Sequence, residues 1–225
     1  MRVHFLKELE KLKKKILLLS AMVEEGVRKA VKALENRDGD LAANVIKADH
    51  DIDVMEVDVE EECLKILALY QPVAGDLRMI SAVIKINNDL ERIGDEAVNI
   101  AERVITISKR PHLRVDFDYG LMAGKAELML KNSLDALVNL DADLASRVCK
   151  ADDEVDEMKR ENYDKIKDAV KNQPERVAYL INLMLVARHL ERIADHATNI
   201  AEEVIYMING EITRHKNFKS QSDDF

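Results

Sequence analysis

The strongest constraint on this chain is that it contains one helical motif twice. When residues 90–105 (LERIGDEAVNIAERVI) are set over residues 190–205 (LERIADHATNIAEEVI), twelve of sixteen positions are identical. Upstream, Ala48-Asp49 with Asp53 and Met55 matches Ala151-Asp152 with Asp156 and Met158. A period of about 100 residues is too long for a short-repeat solenoid and implies a duplicated bundle with three helices per copy. Short up-down connections then make each half a three-helix bundle.

The rest of the chain agrees with an all-α reading. Seven glycines, three prolines and long 3.6-residue patterning leave little room for strands. Breakers mark the joints. Asn36-Arg37-Asp38-Gly39-Asp40 ends the first helix, with Asp40 available to cap the second, and Gln71-Pro72 ends the second. Asn139 to Asp143 and Gln173-Pro174 repeat those two joints, and Ser108 to Asp118, holding Pro111, reads as the linker. The expected organisation is therefore two tandem, internally duplicated three-helix bundles, residues 1–110 and 111–210, followed by a polar tail at 211–225.

Charge narrows the partners. Lys and Arg total 34 against 43 Asp and Glu, a formal charge of −9, which opposes nucleic acid and anionic lipid. No basic stripe interleaved with aromatics offsets it, so no nucleic-acid partner is expected. The one basic run, Lys11 to Lys15, precedes Ile16-Leu17-Leu18-Leu19 and imitates a signal peptide. Yet Leu6, Leu9, Leu12, Ile16, Leu19, Val23, Val27 and Leu34 form the stripe of an amphipathic helix, and Glu24 and Glu25 cut the apolar run short of a membrane span. A cytoplasmic chain that does not insert directly into a membrane is expected. Cys63 and Cys149 lie far apart without zinc spacing and read as core thiols of a reducing compartment.

Chemistry concentrates on the duplicated motif. At about 100° per residue, Glu91, Asp95, Asn99 and Glu102 fall within an arc of roughly 80°, opposite the apolar Leu90, Ile93, Ala97 and Ile100. The second copy places Glu191, Asp195, Asn199 and Glu202 identically, and the preceding helices add Asp49 with Asp53 and Asp152 with Asp156. A solvated acidic face is the plain alternative. Against it, the acids recur in both copies despite like-charge repulsion, while intervening positions (Gly94/Ala194, Glu96/His196, Arg103/Glu203) have diverged. Oxygen donors without thiolates suit a hard or borderline cation such as magnesium, calcium, manganese or iron. Ferritin-like di-iron chemistry is disfavoured because neither half has a Glu-x-x-His pair. His189 and His196 read as ordinary surface or supporting residues, and Arg92 and Arg192 as counter-charges for neighbouring carboxylates. No phosphate loop, nucleophile elbow or catalytic triad order appears, so no enzyme is expected. A carboxylate-metal hydrolase and a purely structural scaffold are the rival readings.

The doubled Glu-x-x-x-Asp motif continued by Asn-Ile-Ala-Glu, with Gln71-Pro72-Val73-Ala74-Gly75-Asp76-Leu77-Arg78, resembles the PhoU phosphate-uptake regulators over roughly residues 5–210. The resemblance implies metal clusters on the paired acidic motifs, multinuclear iron foremost, with magnesium, manganese, calcium or zinc as alternatives. Carried over position by position, the ligands are Asp49, Asp53, Glu91, Asp95, Asn99 and Glu102 in the first half and Asp152, Asp156, Glu191, Asp195, Asn199 and Glu202 in the second. It further implies a negative regulator of phosphate-starvation signalling, acting between the ATPase of a phosphate ABC transporter and a sensor histidine kinase at the inner face of the membrane. Homodimerisation is compatible with the long helix faces. After Pro174 the second half is two residues shorter and lacks the Asp76-Leu77-Arg78 element.

Overall fold

Leu9, Leu12, Ile16, Leu19, Val23 and Val27 recur every three or four residues and all are buried, so the chain begins with one long helix, α1 (Arg2–Asn36). Leu6 departs from this stripe and stays half exposed, because Phe5 turns inward instead, its ring centroid 5.4 Å from that of Tyr70. The computed structural model describes residues 2–110 and 119–211. Among these residues it continues with α2 (Gly39–Tyr70), α3 (Ala74–Ser108), α4 (Tyr119–Asn139), α5 (Ala142–Asn172), a 3-10 turn (Pro174–Arg176) and α6 (Val177–Asn209), and it contains no strand. Most of the expected linker, and all of the expected tail after Glu211, lie outside the described residues.

The first joint of each half is built identically. Arg37 and Leu140 adopt left-handed backbone, with φ of 53° and 52°, and the next residue's N–H donates back to Ala33 O and Ala136 O respectively. Asp38 then caps α2, its side chain accepting from the N–H groups of Asp40 and Leu41, and Asp141 caps α5 by accepting from Leu144. The cap is thus Asp38, not the expected Asp40, which sits in the first turn and there complements the helix dipole. A cap of this kind stabilises by about 1 kcal/mol.

The two bundles share one core. Buried side chains of all six helices form a single continuous cluster, and the most extensive helix pairing joins the halves, α3 against α6. Lys85 meets Glu203, Asp89 meets His196 and Glu96 meets His189, so residue numbers rise on one helix as they fall on the other and the pair runs antiparallel. At one end of this seam Arg78 lies over Gly210, so close that a β-carbon there would collide; the residue's φ of +76° independently demands glycine. Arg78, whose sequence context left its role open, therefore packs on the C-terminal end of α6, where a cation is favourable.

Two lysines of the basic run of α1, Lys11 and Lys15, turn into the first half. Glu62 of α2 is buried, and the ammonium groups of Lys11, Lys15 and Lys65 surround it. Burial works to raise this carboxyl, but the hydrogen bonds from Lys65, Lys11 and Lys15 outweigh it and hold it well below the usual carboxylate range. Cys63 and Cys149 are both buried and unpaired with each other, and burial first, then nearby carboxylates, pushes each thiol up to about 12. Such thiols are unreactive core groups. Among the described residues no helix is long and apolar enough to cross a membrane.

Candidate functional site

Because α2 and α3 run antiparallel across a short joint, Asp49 and Asp53 of one helix come to face Glu91 and Asp95 of the other. Their fields show the proximity. Asp49 is pushed up to about 6 by partial burial and then by the charges of Asp53 and Asp95. Glu91 is raised by burial and by Asp95, against the opposing charge of Arg92, and also feels Glu56 and Asp53. Glu56 is itself raised by burial and then by Glu60 and Asp53. Glu91 Oε2 is buried and accepts no hydrogen bond, with Arg92 Nε 3.4 Å away. Gly94 gives the groove its floor: a β-carbon there would stand 3.3 Å from Asp49 Oδ1 and 3.4 Å from Ile52. Glu56 was not singled out from sequence; it lies one turn beyond Asp53, and that spacing was the available signal.

The second half builds the corresponding groove between α5 and α6. Asp195 is open to solvent on its outer side but crowded by protein on the other. That burial, followed by Glu191, Asp152 and Asp156, pushes it up to about 6. Asp152 is raised by burial, against a 3.2 Å hydrogen bond donated by Thr198 Oγ1, and by Asp156. Lys159 forms an ion pair with Glu191 across the groove.

Four of the expected ligands lie away from these two groups. Asn99 hydrogen-bonds Glu96, and Asn199 Nδ2 donates to Asp89 Oδ1 over 3.1 Å, so both turn toward the α3–α6 seam. They occupy the end of the 80° arc nearest that seam, which a single-helix wheel does not distinguish. Glu102 is half exposed and paired with Arg103, while Glu202 lies close enough to Cys149 for its charge to be felt there. Arg92 pairs with Glu91 and Asp95 as expected, but Arg192 does not serve its own groove. Its guanidinium bonds Glu96 of the other half at 2.9 Å.

The seam also corrects the meaning of the diverged positions. Glu96 is 2% exposed, held by His189 Nδ1 at 2.6 Å and by Arg192, and His196 Nδ1 lies 2.8 Å from Asp89. Position 89 thus meets 196 and position 96 meets 189, with the acid always on α3 and the imidazole always on α6. Glu203 is buried against Lys85. Glu96, His196 and Glu203 are therefore complementary contacts across the duplication, not surface that has drifted.

A cation suits the grooves by donor chemistry: all oxygen, mutually repelling, with raised carboxyls in both halves and a buried Glu91 oxygen that accepts no hydrogen bond and has only the ion pair with Arg92. Among the described residues, however, no three His, Cys, Asp or Glu side chains are gathered closely enough to hold an ion as they stand. Side-chain rotation within each groove would have to bring them together.

Comparison with known proteins follows the duplication. A family model described as the PhoU domain matches twice, over residues 16–104 and 120–204. The phosphate-specific transport system accessory protein PhoU homolog of Aquifex aeolicus is 42% identical over 217 residues, spanning 96% of this chain and 98% of that protein. The corresponding homolog from Pseudomonas aeruginosa is 38% identical, spanning 92% and 86%. The crystal structure of PhoU from Pseudomonas aeruginosa superposes with a TM-score of 0.89 at 37% identity, covering 92% of this chain and 100% of that one. The phosphate transport system regulatory protein PhoU from Streptococcus pneumoniae gives a TM-score of 0.82 at 29% identity, covering 92% and 98%. With one domain match in each half and relatives aligned end to end, this chain belongs to the PhoU family.

Proposed function

We propose that this protein regulates phosphate transport through protein–protein contact rather than catalysis, as an adaptor carrying one carboxylate-rich metal site in each half. The observation that supports it most is the end-to-end match to a relative named for phosphate-specific transport, on a chain whose duplicated motif forms an acidic groove twice. The finer reading is a negative regulator in the cytoplasm, placed between the ATPase subunit of a phosphate ABC transporter and a sensor histidine kinase. Asp49, Asp53, Glu91 and Asp95 would hold a cation in the first groove, and Asp152, Asp156, Glu191 and Asp195 in the second. When bound, the cation supplies positive charge that joins carboxylates otherwise repelling one another. The chain's own contribution is rigid. The α3–α6 seam fixes both grooves in one body, so a partner meets two charge patterns at a set separation, and coupling lies in different affinity for the partner's two states.

A pull-down with purified transporter ATPase subunit, in manganese and again in chelator, tests this. Retention of the ATPase subunit by the wild-type chain, weakened at least severalfold in the Asp95→Asn/Asp195→Asn variant, is expected. Equal retention by both proteins in both buffers would remove the grooves from partner recognition, and no retention of the ATPase subunit in either buffer would overturn the adaptor reading.

A further inference from the structure

The seam between the halves is built differently at its two ends. In the register that pairs Arg37 with Leu140 and Leu90 with Leu190, Tyr119 corresponds to Ile16, Tyr179 to Met79 and Ile107 to Met207. At one end the two tyrosines and Arg37 take up the space between the helices. Tyr179 is buried, and the Tyr119 hydroxyl is raised by burial and then by Tyr179 beside it. The Arg37 guanidinium donates to the carbonyls of Ile107 and Arg110.

At the other end the same positions carry Ile16, Met79 and Leu140, and a cavity of about 400 Å³ opens between α1, α3, α4 and α6. Such a volume, walled mostly by apolar groups, is that of a small-molecule site. Ile16 and Val83 of its lining are buried, whereas Leu17, Val138 and Leu140 are 38%, 56% and 58% exposed. Two cations flank it. Lys13 belongs to the lining, and its 3.3 Å pair with Glu10 joins two side chains more than half exposed, so it contributes little. Arg78 lies between the lining residues Gly75 and Met79 in sequence and packs over Gly210. Its Nε is buried with no hydrogen-bond partner among the described residues.

We propose that this cavity binds a medium-chain fatty carboxylate, its acyl chain taking the space that tyrosine rings occupy at the other end and its carboxylate meeting Lys13 and Arg78. The lining selects this class. No aromatic side chain is present for a ring to stack on, while Met79 and Met207 adapt to a flexible chain. Each methylene taken out of water adds to affinity, and the two flanking cations favour an anionic head over a neutral one. The site lies apart from the acidic grooves and does not depend on the metal reading. Because α1 and α3 come from the first half and α4 and α6 from the second, a ligand there bridges the halves at one end of the seam.

The test is isothermal titration calorimetry of the full-length protein with decanoate, kept below its micelle-forming concentration, and with decanol as the neutral comparison. Wild type should bind decanoate saturably at a single site. Met79→Tyr, which restores the ring found at the other end, should weaken decanoate about tenfold or more. Leu140→Asp should do the same from an exposed joint position whose left-handed backbone aspartate tolerates, so that folding is preserved. Lys13→Gln should weaken decanoate about threefold and leave decanol unchanged. Leu64→Gln, at an exposed leucine of α2 outside the cavity, should match wild type with both ligands. No saturable binding by wild type, or decanoate affinity unmoved by both Met79→Tyr and Leu140→Asp, would overturn the site. Equal loss of decanoate and decanol in Lys13→Gln would overturn the anionic class. Binding to phosphatidylglycerol vesicles without binding to decanoate would also overturn the proposal, since the cavity would then be a membrane contact.

Discussion

The α2–α3 groove and the α5–α6 groove differ little in motif and greatly in surroundings. Glu91 and Glu191 begin the same Glu-x-x-x-Asp element, yet Glu91 has a buried oxygen that accepts no hydrogen bond and Glu191 is paired with Lys159. Arg92 stays with its own carboxylates, whereas Arg192 crosses to Glu96. An identical motif is thus answered in one half by a cation of its own helix, Arg92, and in the other by a cation of the facing helix, Lys159. The same motif therefore takes its counter-charge from different elements in the two halves.

The comparison is sharpest at the seam. Removing the charge of Glu96 by Glu96→Gln leaves Arg192 and His189 facing a buried neutral group, and destabilisation of about 3 kcal/mol is expected in urea unfolding. At the corresponding contact, His196→Gln exchanges a more exposed partner of Asp89 and should cost about 1 kcal/mol. Similar small losses for both would mean that the seam is held by its apolar residues alone.

A second contrast sets the halves apart by acid sensitivity. Glu62 is buried among three lysines, whereas the residue in its register in the second half is the exposed Lys165. Since the folded-state pKa of Glu62 is depressed, its contribution is present above about 4.5, the ordinary value, and is lost as pH falls below it. Glu62→Gln should cost about 2 kcal/mol at pH 7, with the difference from wild type shrinking in acid, while Lys165→Gln should stay within about 0.5 kcal/mol at any pH. A pH-independent loss for Glu62→Gln would mean the defect is steric.

Asp49 carries the opposite sign. Its folded-state pKa is raised to about 6 from 3.8, so the folded chain holds a proton that the unfolded chain releases. Metal-free stability from this group therefore falls as pH rises from about 4 to about 6 and remains low above that. Asp49→Asn should stabilise the metal-free protein at pH 7 by on the order of 1 kcal/mol once solvent screening is allowed for, and should change little near pH 4. Asp195 shifts in the same direction. A loss of stability at pH 7 in Asp49→Asn would mean that the carboxylate is held by a partner instead of repelled by its neighbours.

The helices and their joints were readable in the sequence because they depend on local spacing. The stripe from Leu9 to Val27 predicted α1, and Arg37-Asp38 and Leu140-Asp141 signalled equivalent turns, with an error of only two residues in which aspartate caps. Facing acids on consecutive antiparallel helices were also accessible, since Asp49, Asp53, Glu91 and Asp95 meet across one short joint. The partners of Glu96, Asp89 and Lys85 were not, because they lie 93 to 118 residues away and only the antiparallel seam selects them. For the same reason the sequence does not separate Arg192 from its own groove, nor Asn99 and Asn199, at the seam edge of the arc, from the acids beside them.

The most direct measurement is the metal content of protein purified without chelator, wild type beside the Asp95→Asn/Asp195→Asn double variant, with helix content of both checked by circular dichroism. The wild-type chain should carry a di- or trivalent metal that the folded double variant lacks. Full metal stoichiometry in the double variant, or a wild-type chain that stays metal-free even after incubation with manganese and with iron, would contradict metal binding in the two grooves.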